Sequence, residues 1–365
     1  MRRSPAFPCW NGQDASPEAG AKPRMNSARI LAVATATPPR RFTQEETLAL
    51  SRYSDARRRH FFTASDIETR HLAIDPATFD PAEPLDALNA RFAKFGPALA
   101  QQAAAAALER AALEPAAVDF VVTTTCTGRL CPSLDTLLIR DLKLREDVQR
   151  VHVGDTGCAS GMVALQQASH YLQAHPGRRA LVVAAEICSA AYVLDEGLET
   201  AVANAIFADG AAAALLGPGE AGPALLKHHT LFRSEYLPLM GFTFPGGRPR
   251  ILLSKEIRHI GGEMVEALAT RILAAHGLGQ AAIRFWVLHS AGRKVIDHAR
   301  HRLGLREADV TFSRSVLRRY GNMSSATVLF VLEAVMASGQ PRPGDYGLMM
   351  ALGPGFAAEG ALLQW

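Results

Sequence analysis

Three residues along the chain have side chains of the types that acyl-transfer chemistry needs: Cys158, His289 and Asn322. A thiolate attacks thioesters, an imidazole takes and returns protons, and an amide N–H group donates to an oxygen that gains negative charge. Cys158 lies in GDTGCASG, directly before an apolar helical stretch. Because a helix amino terminus favours the thiolate, the sequence predicts that the pKa of Cys158 lies below that of a free cysteine.

Each of these residues also has a non-catalytic interpretation. A single cysteine is most often a small buried hydrophobe, a histidine at the end of an apolar strand is usually structural, and asparagine beside glycine commonly forms a turn. Small neighbours on both sides of Cys158 leave room for a substrate and favour the catalytic interpretation. For Cys188, in the apolar strand LVVAAEICS, we expect a core position.

The elements that must position these residues alternate between strands and helices, which predicts an α/β fold. A helix over residues 98–113 precedes strand VDFVVTTTCTG, and a helix over 261–275 precedes strand IRFWVLHSAG. The segment RRYGNMSS, before helix ATVLFVLEAVMA, is predicted to be a turn.

The spacing of the candidate residues indicates an internal duplication. Cys126 and Cys158 are 32 residues apart, and His289 and Asn322 are 33 apart. These intervals predict two copies of one unit, with a leader over 1–26, an N-terminal half over 27–220 and a C-terminal half over 221–365. His289 and Asn322 would then occupy strand-to-helix turns equivalent to those of the two cysteines.

Composition excludes several classes of protein. The net charge is only +4, and the basic residues are scattered except for Arg57, Arg58 and Arg59, so no nucleic-acid-binding face is predicted. No apolar run approaches the roughly 18 residues of a membrane span. Residues 1–26 lack a signal-peptide core and are predicted to be disordered; the sequence leaves open whether translation starts at Met1 or Met25. Five cysteines without a C-x-x-C pair predict neither disulfides nor a metal site, and they favour a reducing cytoplasm.

Four motifs together resemble the type III polyketide synthases, the chalcone-synthase-like enzymes of the thiolase superfamily. These are GCASG at Cys158, VLHSAGRKVID at His289, YGNMSSATVLFVLE at Asn322 and LGPGF at 352–356, and the resemblance extends from about residue 28 to the end. It implies a homodimer whose five-layered αβαβα core consists of two duplicated halves. It also implies that an acyl-CoA starter loads Cys158, that decarboxylated malonyl-CoA extends the chain by two carbons per cycle, and that the product cyclises. No cofactor is expected beyond these coenzyme A thioester substrates.

The resemblance also assigns residues to the substrate cavity. Phe207 matches an aromatic residue between the coenzyme A tunnel and the cavity, although an aromatic side chain there could equally fill the core. The other residues matched to the cavity are Cys126, Glu186, Ala191, Ser324, Gly353, Pro354, Gly355 and Phe356. The residues expected to bind the coenzyme A phosphates are Arg57, Arg58, Arg59 and Arg293, and the alternative for the first three is a solvated helix face.

Departures from the plant enzymes predict a reshaped cavity. Cys126 and Ala191 replace threonines, and Cys131 replaces a methionine that reaches across the dimer. Glu186 and Ser324 match residues implicated in aldol-type cyclisation, but Cys126 stands where their threonine partner is usually found, which weakens that network. The residues around His289 favour a bacterial member. Such members make alkylresorcinols, alkylpyrones, phloroglucinols or naphthalene polyols, and the sequence does not choose among these products.

Three rival functions share some of these features. An initiating ketoacyl-carrier-protein synthase has the same fold and the same Cys-His-Asn set, but GNMSS and GPGF argue against it. A papain-like hydrolase has a similar Cys-to-His interval, which is 131 residues here, yet its nucleophile lies near the mature amino terminus. A non-catalytic protein that kept the fold would be favoured if a triad member were missing, and none is missing.

Overall fold

The computed structural model describes residues 28–192, 194–195 and 197–365, so the leader predicted over 1–26 lies outside the described residues. The first half comprises β1 (Arg29–Ala36), β2 (Arg41–Thr43), α1 (Gln44–Ser51), α2 (Ala56–Thr63), β3 (Thr69–His71), α3 (Leu85–Arg110), β4 (Phe120–Thr125), α4 (Leu134–Leu142), β5 (Gln149–Gly154), α5 (Ser160–Ala174), β6 (Ala180–Ile187), α6 (Leu198–Ile206) and β7 (Asp209–Gly217). None of the helices in the described ranges combines the length and apolar character needed to cross a membrane.

The second half follows β7 in the chain, and the boundary after residue 220 stays a prediction. It comprises β8 (Ala224–Phe232), β9 (Met240–Thr243), β10 (Arg250–Leu253), α7 (Ile257–Ala275), β11 (Ile283–Leu288), α8 (Arg293–Arg302), α9 (Thr311–Tyr320), α10 (Thr327–Ala337), β12 (Tyr346–Gly353) and β13 (Ala357–Gln364). Strands β9 and β10 form a separate hairpin, and β2 pairs with β3.

Nine strands form one mixed sheet in the order β11-β12-β13-β8-β1-β7-β6-β4-β5. Four neighbouring strands of the first half are β1, β7, β6 and β4. The pairs β1–β7 and β7–β6 are antiparallel, and the pair β6–β4 is parallel. Strands β8, β13, β12 and β11 repeat this series, and the two series meet at the single pair of Arg29 with Ala224. The repeated pairing order confirms the predicted duplication, although no strand of the second half corresponds to β5.

The layers of the fold are defined by the apolar clusters that the strands bury against helices on each face of the sheet. Helices α5 and α10 contact strands of both series, and the apolar cluster around them includes Val122 and Val182. The alternate residues Val121 and Val183 face α3 in a second cluster, and a third cluster packs β11, β12 and β13 against α7. Every residue of β6 is buried, as expected for a strand covered on both faces. This arrangement is the predicted five-layered αβαβα core.

Three helices differ from the sequence-based prediction, and one of them, α7, begins at Ile257 rather than at residue 261. Helix α3 begins at Leu85 rather than at residue 98, because buried Leu88 and Phe92 continue its apolar face ahead of Pro97, which the helix accommodates internally. The predicted turn RRYGNMSS was wrong in its first three residues, which end α9. Helix α9 is amphipathic, with Val316 and Leu317 buried, and the glycine and asparagine that follow it mark only its end.

Candidate active site

A cavity of about 760 Å³ lies between the two halves, and residues from both contribute to its wall. Cys158, His289 and Asn322 all line it. Most of the lining surface is apolar, and residues of α6, the β9–β10 hairpin and the start of α7 contribute to it. The fold therefore brings the three predicted catalytic residues to one cavity.

The turn that carries Cys158 depends on two close backbone approaches. Gly157 has a φ of +60°, and a Cβ atom there would lie 2.3 Å from Cδ of Pro354, so only glycine fits. A Cβ atom on Gly161 would lie 2.4 Å from the carbonyl oxygen of Ser325. These contacts hold the start of α5 against the 353–356 loop and against the turn after Asn322.

Asn322 follows α9 and does not follow a strand, so the predicted strand-to-helix turn is wrong at this residue. An isolated parallel bridge to Phe207 fixes its backbone, and its N–H donates to the carbonyl oxygen of Ile206 at 2.9 Å. Its Oδ1 accepts the N–H of Ser324 at 2.8 Å, and its Nδ2 donates to the carbonyl oxygen of Ala291 at 3.1 Å. One hydrogen of the Asn322 side-chain amide thus donates to a backbone carbonyl oxygen, and no described residue accepts the other hydrogen.

His289 follows β11, and its backbone N–H donates to the carbonyl oxygen of Met350 at 2.9 Å. The side chain is buried, and neither ring nitrogen has a hydrogen-bond partner among the described residues. Burial lowers the pKa of His289 to about 4. The imidazole is therefore neutral at physiological pH, and its nitrogens are available to a bound molecule.

Burial in the cavity wall raises the pKa of Cys158 to about 11, so the predicted depression of this pKa is wrong for the ligand-free protein. The Ser324 hydroxyl, 3.3 Å from Sγ, acts in the opposite direction. The helix amino terminus does not outweigh the loss of solvation around sulfur. The site therefore holds a neutral thiol and a neutral imidazole, with no standing ion pair.

Two further thiols line the same cavity. Cys126 was predicted to do so, but Cys188 was expected in the core; it is buried and also contributes to the cavity wall, because it begins the turn that ends β6. Burial raises the pKa of both. No group of histidine, cysteine or acidic residues in the described ranges is arranged to hold a metal ion.

Comparisons with known proteins agree with this architecture. Residues 92–230 match the family model described as FAE1/Type III polyketide synthase-like protein, and residues 250–365 match the C-terminal domain of chalcone and stilbene synthases. The chain belongs to the type III polyketide synthase family. It is an acyltransferase of the kind that uses acyl-CoA and malonyl-CoA substrates, which confirms the main sequence-based interpretation over its rivals.

Several relatives of this polyketide synthase are bacterial. It is 36% identical to a 3,5-dihydroxyphenylacetyl-CoA synthase of Streptomyces toyocaensis, with 96% of this chain and 93% of the relative covered. It is 35% identical to a 1,3,6,8-tetrahydroxynaphthalene synthase of Streptomyces peucetius subsp. caesius, with 92% and 93% covered. The crystal structure of PKS-I from Ectocarpus siliculosus superposes with a TM-score of 0.85 at 28% identity, over 93% of this chain and 98% of that one.

Of the residues matched to the synthase cavity, Cys126, Phe207, Ser324 and Pro354 line it. The described residues that were matched but do not line it are Glu186, Ala191, Gly353, Gly355 and Phe356. Phe356 is fully buried in the outer apolar cluster of the second half, and Ala191 is buried in the turn after β6.

The carboxylate of Glu186 lies behind the cavity wall and is held there by hydrogen bonds. It accepts the backbone N–H of Cys126 at 3.1 Å and the hydroxyls of Thr127 at 2.7 Å and of Ser325. No hydrogen bond joins it to Ser324, which contacts Cys126 instead. The hydroxyl that both contacts Glu186 and lines the cavity belongs to Thr127, which the sequence analysis did not single out.

The predicted coenzyme A arginines separate into two groups. Arg57 and Arg293 line the cavity, whereas Arg58 pairs with Asp55 at 2.8 Å and Arg59 does not reach the cavity wall. Sequence reasoning missed four other basic residues of the wall: His60, Lys255, Arg258 and Lys294. Lys255 and Arg258 flank the start of α7, and Lys294 follows Arg293 in a basic pair, the one local signal that was present in the sequence.

Arg70 is another residue that the sequence analysis missed. Its side chain is completely buried, and its Nη1 donates to the carbonyl oxygen of Phe207 at 2.7 Å. Its Nε and Nη2 have no partner among the described residues, and burial lowers its pKa to about 10. Because Phe207 pairs with Asn322, this guanidinium supports the backbone that carries both.

Proposed function

We propose that Cys158 is the nucleophile that accepts the starter acyl group. His289 takes the thiol proton as sulfur attacks the acyl-CoA carbonyl carbon, and it returns that proton to the coenzyme A sulfur as the C–S bond breaks. The backbone N–H of Cys158 donates to the carbonyl oxygen while it carries negative charge. An acyl thioester on Cys158 and free coenzyme A result.

Chain extension then uses the hydrogen-bond donors of the second half, His289 and Asn322. The thioester oxygen of malonyl-CoA accepts hydrogen bonds from His289 and from the unused amide hydrogen of Asn322, which stabilise the enolate formed as carbon dioxide leaves. The enolate carbon attacks the acyl group on Cys158, a carbon–carbon bond forms, and the cysteine sulfur departs. The product is a β-ketoacyl-CoA longer by two carbons, ready to reload.

One observation carries this assignment: a buried imidazole without hydrogen-bond partners shares a cavity with the Cys158 thiol and the anchored Asn322 amide. Leaving two ring nitrogens of a buried imidazole unpaired costs roughly 1–3 kcal/mol for each group. A substrate oxygen or the thiol proton would satisfy them.

The test compares His289→Ala with His301→Ala, an exposed histidine on α8. Each protein is incubated with malonyl-CoA, alone and with acyl-CoA starters from acetyl to long-chain, and the products are detected by mass spectrometry. We expect His289→Ala to lose both Cys158 acylation and malonyl decarboxylation, and His301→Ala to retain both. A folded His289→Ala variant that keeps either half-reaction at the parent rate would contradict the shared role of His289.

For coenzyme A we propose a phosphate site formed by Arg57, Arg293, Lys255, Arg258 and Lys294 on the cavity wall. Cationic side chains attract the phosphates by charge, and arginine also offers bidentate donors. The expected result of Arg293→Gln is a several-fold higher KM for malonyl-CoA at nearly unchanged kcat. Charge removal at Arg59, which lies off this wall, should leave KM unchanged.

We also propose that two copies associate through β5. This strand is paired on one side only, with β4, and none of its residues is buried, whereas the strands β4 and β6 are buried. An exposed strand edge is a template for pairing with another chain. Light scattering of the pure protein should give twice the 39.2 kDa chain mass, and a mass of one chain would contradict the dimer.

For the compartment we propose the cytoplasm. The four cysteines in the described part of the chain are all free, as in a reducing environment. Fractionation of the source cells, with detection of the enzyme in the cytoplasmic fraction, tests this proposal.

A further inference from the structure

The hydroxyl of Ser324 lies between two thiols of the cavity. Its Oγ is 3.3 Å from Sγ of Cys158 and 3.1 Å from Sγ of Cys126. A serine hydroxyl has a single hydrogen, so it can donate to only one of these sulfurs at a time. Donation to Cys126 leaves the Cys158 sulfur without a side-chain donor from the described part of the chain.

The backbone of Ser324 restricts where this hydroxyl can go. Its φ of +48° is in the left-handed region, which is unusual for a residue other than glycine. The conformation is held by the N–H of Ser324, which donates to Oδ1 of Asn322 at 2.8 Å. Ser324 is 2% exposed and lines the cavity. A non-glycine residue held in this conformation beside a nucleophile is typical of a functional site.

The charged and titratable groups around Cys158 do not replace this donor. Glu186 lies behind the wall on β6 and opposes a thiolate, and Cys126 and Cys188 are themselves protonated thiols. His289 approaches from the second half as a neutral imidazole, and Arg57 and Arg293 stand elsewhere on the cavity wall. No charged partner contacts the Cys158 sulfur among the described residues.

We propose that Ser324 is a positioning residue that sets the reactivity of the nucleophile, and that Cys126 opposes it by competing for the same hydroxyl. When the hydroxyl donates to Cys158, it stabilises the thiolate that attacks the starter. When it donates to Cys126, the nucleophile is less acidic and less reactive. This proposal rests on the proposed nucleophilic role of Cys158, and it adds a second cysteine that tunes the site without accepting an acyl group.

The test measures how fast iodoacetamide alkylates Cys158 at a series of pH values, with each cysteine peptide quantified by mass spectrometry. We expect Ser324→Ala to move the midpoint of the Cys158 profile to higher pH and to slow alkylation at fixed pH by roughly ten- to a hundredfold, the scale of one hydrogen bond to a charged group. Cys126→Ala should move the midpoint the opposite way, because the hydroxyl is then committed to Cys158.

Two matched variants separate hydrogen bonding from other effects. Cys126→Ser keeps a competitor for the hydroxyl and should shift the midpoint less than Cys126→Ala. Ser324→Gly removes the hydroxyl and also relieves the left-handed conformation, so it should match Ser324→Ala. The exposed Cys131 peptide in the same samples is the internal reference, and its profile should stay unchanged.

Shifts of the Ser324 and Cys126 variants in the same direction would overturn the proposal, as would an unshifted Ser324→Gly. If Ser324→Ala does not fold, Ser324→Gly and the two Cys126 variants still decide the question. The alkylation assay contains no coenzyme A thioester. Failure of the polyketide synthase assignment for Cys158 would appear separately, as an absence of malonyl-dependent products from a protein whose alkylation shifts as expected.

Discussion

The two halves present Cys158 and Asn322 at turns that precede the two central helices, but the turns differ in what they expose. The Cys158 turn before α5 is kept small by Gly157 and Gly161 and leaves sulfur partly accessible from the cavity. The Asn322 turn before α10 is buried and pinned by main-chain hydrogen bonds to the segment around Phe207. The duplicated fold thus places a partly accessible thiol in one half and a side-chain amide held by hydrogen bonds in the other.

The two halves also differ in whether an acidic side chain lies near their candidate residues. The thiols of the first half lie near the buried acid Glu186, which disfavours thiolate, whereas no carboxylate accompanies His289 in the second half. Loss of solvation raises the pKa of the thiols and lowers that of the imidazole. The thiols of the first half and the imidazole of His289 are therefore neutral in the ligand-free protein. In the proposed mechanism, charge arises only during the reaction, first in proton transfer from Cys158 to His289 and later in decarboxylation of malonyl-CoA.

The largest effect is expected from Cys158→Ala. Without sulfur no starter can load, so acylation and chain extension should be abolished. Carbon dioxide release from malonyl-CoA should persist, because the donors of the second half are intact. The measurements are mass-detected acylation and carbon dioxide release on the folded variant. Loss of carbon dioxide release as well would break the division of labour between the halves.

Asn322→Ala tests the other side of the comparison. Removal of one oxyanion donor typically costs on the order of 10² to 10³ in rate, so malonyl decarboxylation should fall by this factor while Cys158 acylation continues. Asn89→Ala, at an exposed position of α3, is the matched control. Decarboxylation at the parent rate would show that Asn322 serves only as a turn former.

His289→Gln should change how stability depends on pH. The pKa of His289 is about 4 in the folded protein and lies below the ordinary value of 6.5. As the pH falls, the unfolded chain therefore binds a proton at this histidine before the folded protein does. The stability contributed by the neutral imidazole is present above about pH 6.5 and is lost as the pH falls towards 4. The parent should lose about 3 kcal/mol more free energy of unfolding over this window than the variant.

Urea unfolding at each pH measures this difference, and His301→Gln is the control at an exposed position on α8. Parallel losses in the parent and in His289→Gln would mean that His289 is solvated or paired. The neutral resting state proposed for the second half would then be wrong.

The smallest effect is expected from Arg70→Met. This variant tests whether the hydrogen bond from Arg70 to the carbonyl oxygen of Phe207 also holds Asn322 in place. Replacement of a buried charge by an apolar side chain of similar size is often neutral or stabilising, so the thermal midpoint should be unchanged or higher. Loss of the donor to the Phe207 carbonyl should slow decarboxylation by about tenfold. Arg271→Met, on the surface of α7, should change neither quantity.

A purely structural role of Arg70 predicts the reverse pattern, a lower midpoint with an unchanged decarboxylation rate in the remaining folded protein. The ratio of decarboxylation to Cys158 acylation distinguishes the two roles. Misplacement of Asn322 lowers this ratio, and general unfolding lowers both rates together.

Features encoded by local patterns could be predicted from the sequence. The strand and helix periodicities, the equal intervals between chemistry-bearing residues and the glycines around Cys158 predict the duplicated α/β fold and the three residues that share the cavity. These signals are local because a strand buried on both faces or a turn that needs glycine is specified by its own few residues. The turn predicted before Asn322 was wrong because the same polar residues also suit the end of an amphipathic helix.

Tertiary structure alone decided the solvation of these residues and which neighbours share the cavity. The pKa shifts of Cys158 and His289 arise from atoms of many distant elements that exclude water, and no local motif records that sum. The same holds for Cys188, which is both buried and cavity-lining, for Arg70 beneath Phe207, and for Glu186 behind the wall. Which side of a wall a side chain occupies depends on how two halves of the chain pack, so only the assembled fold determines it.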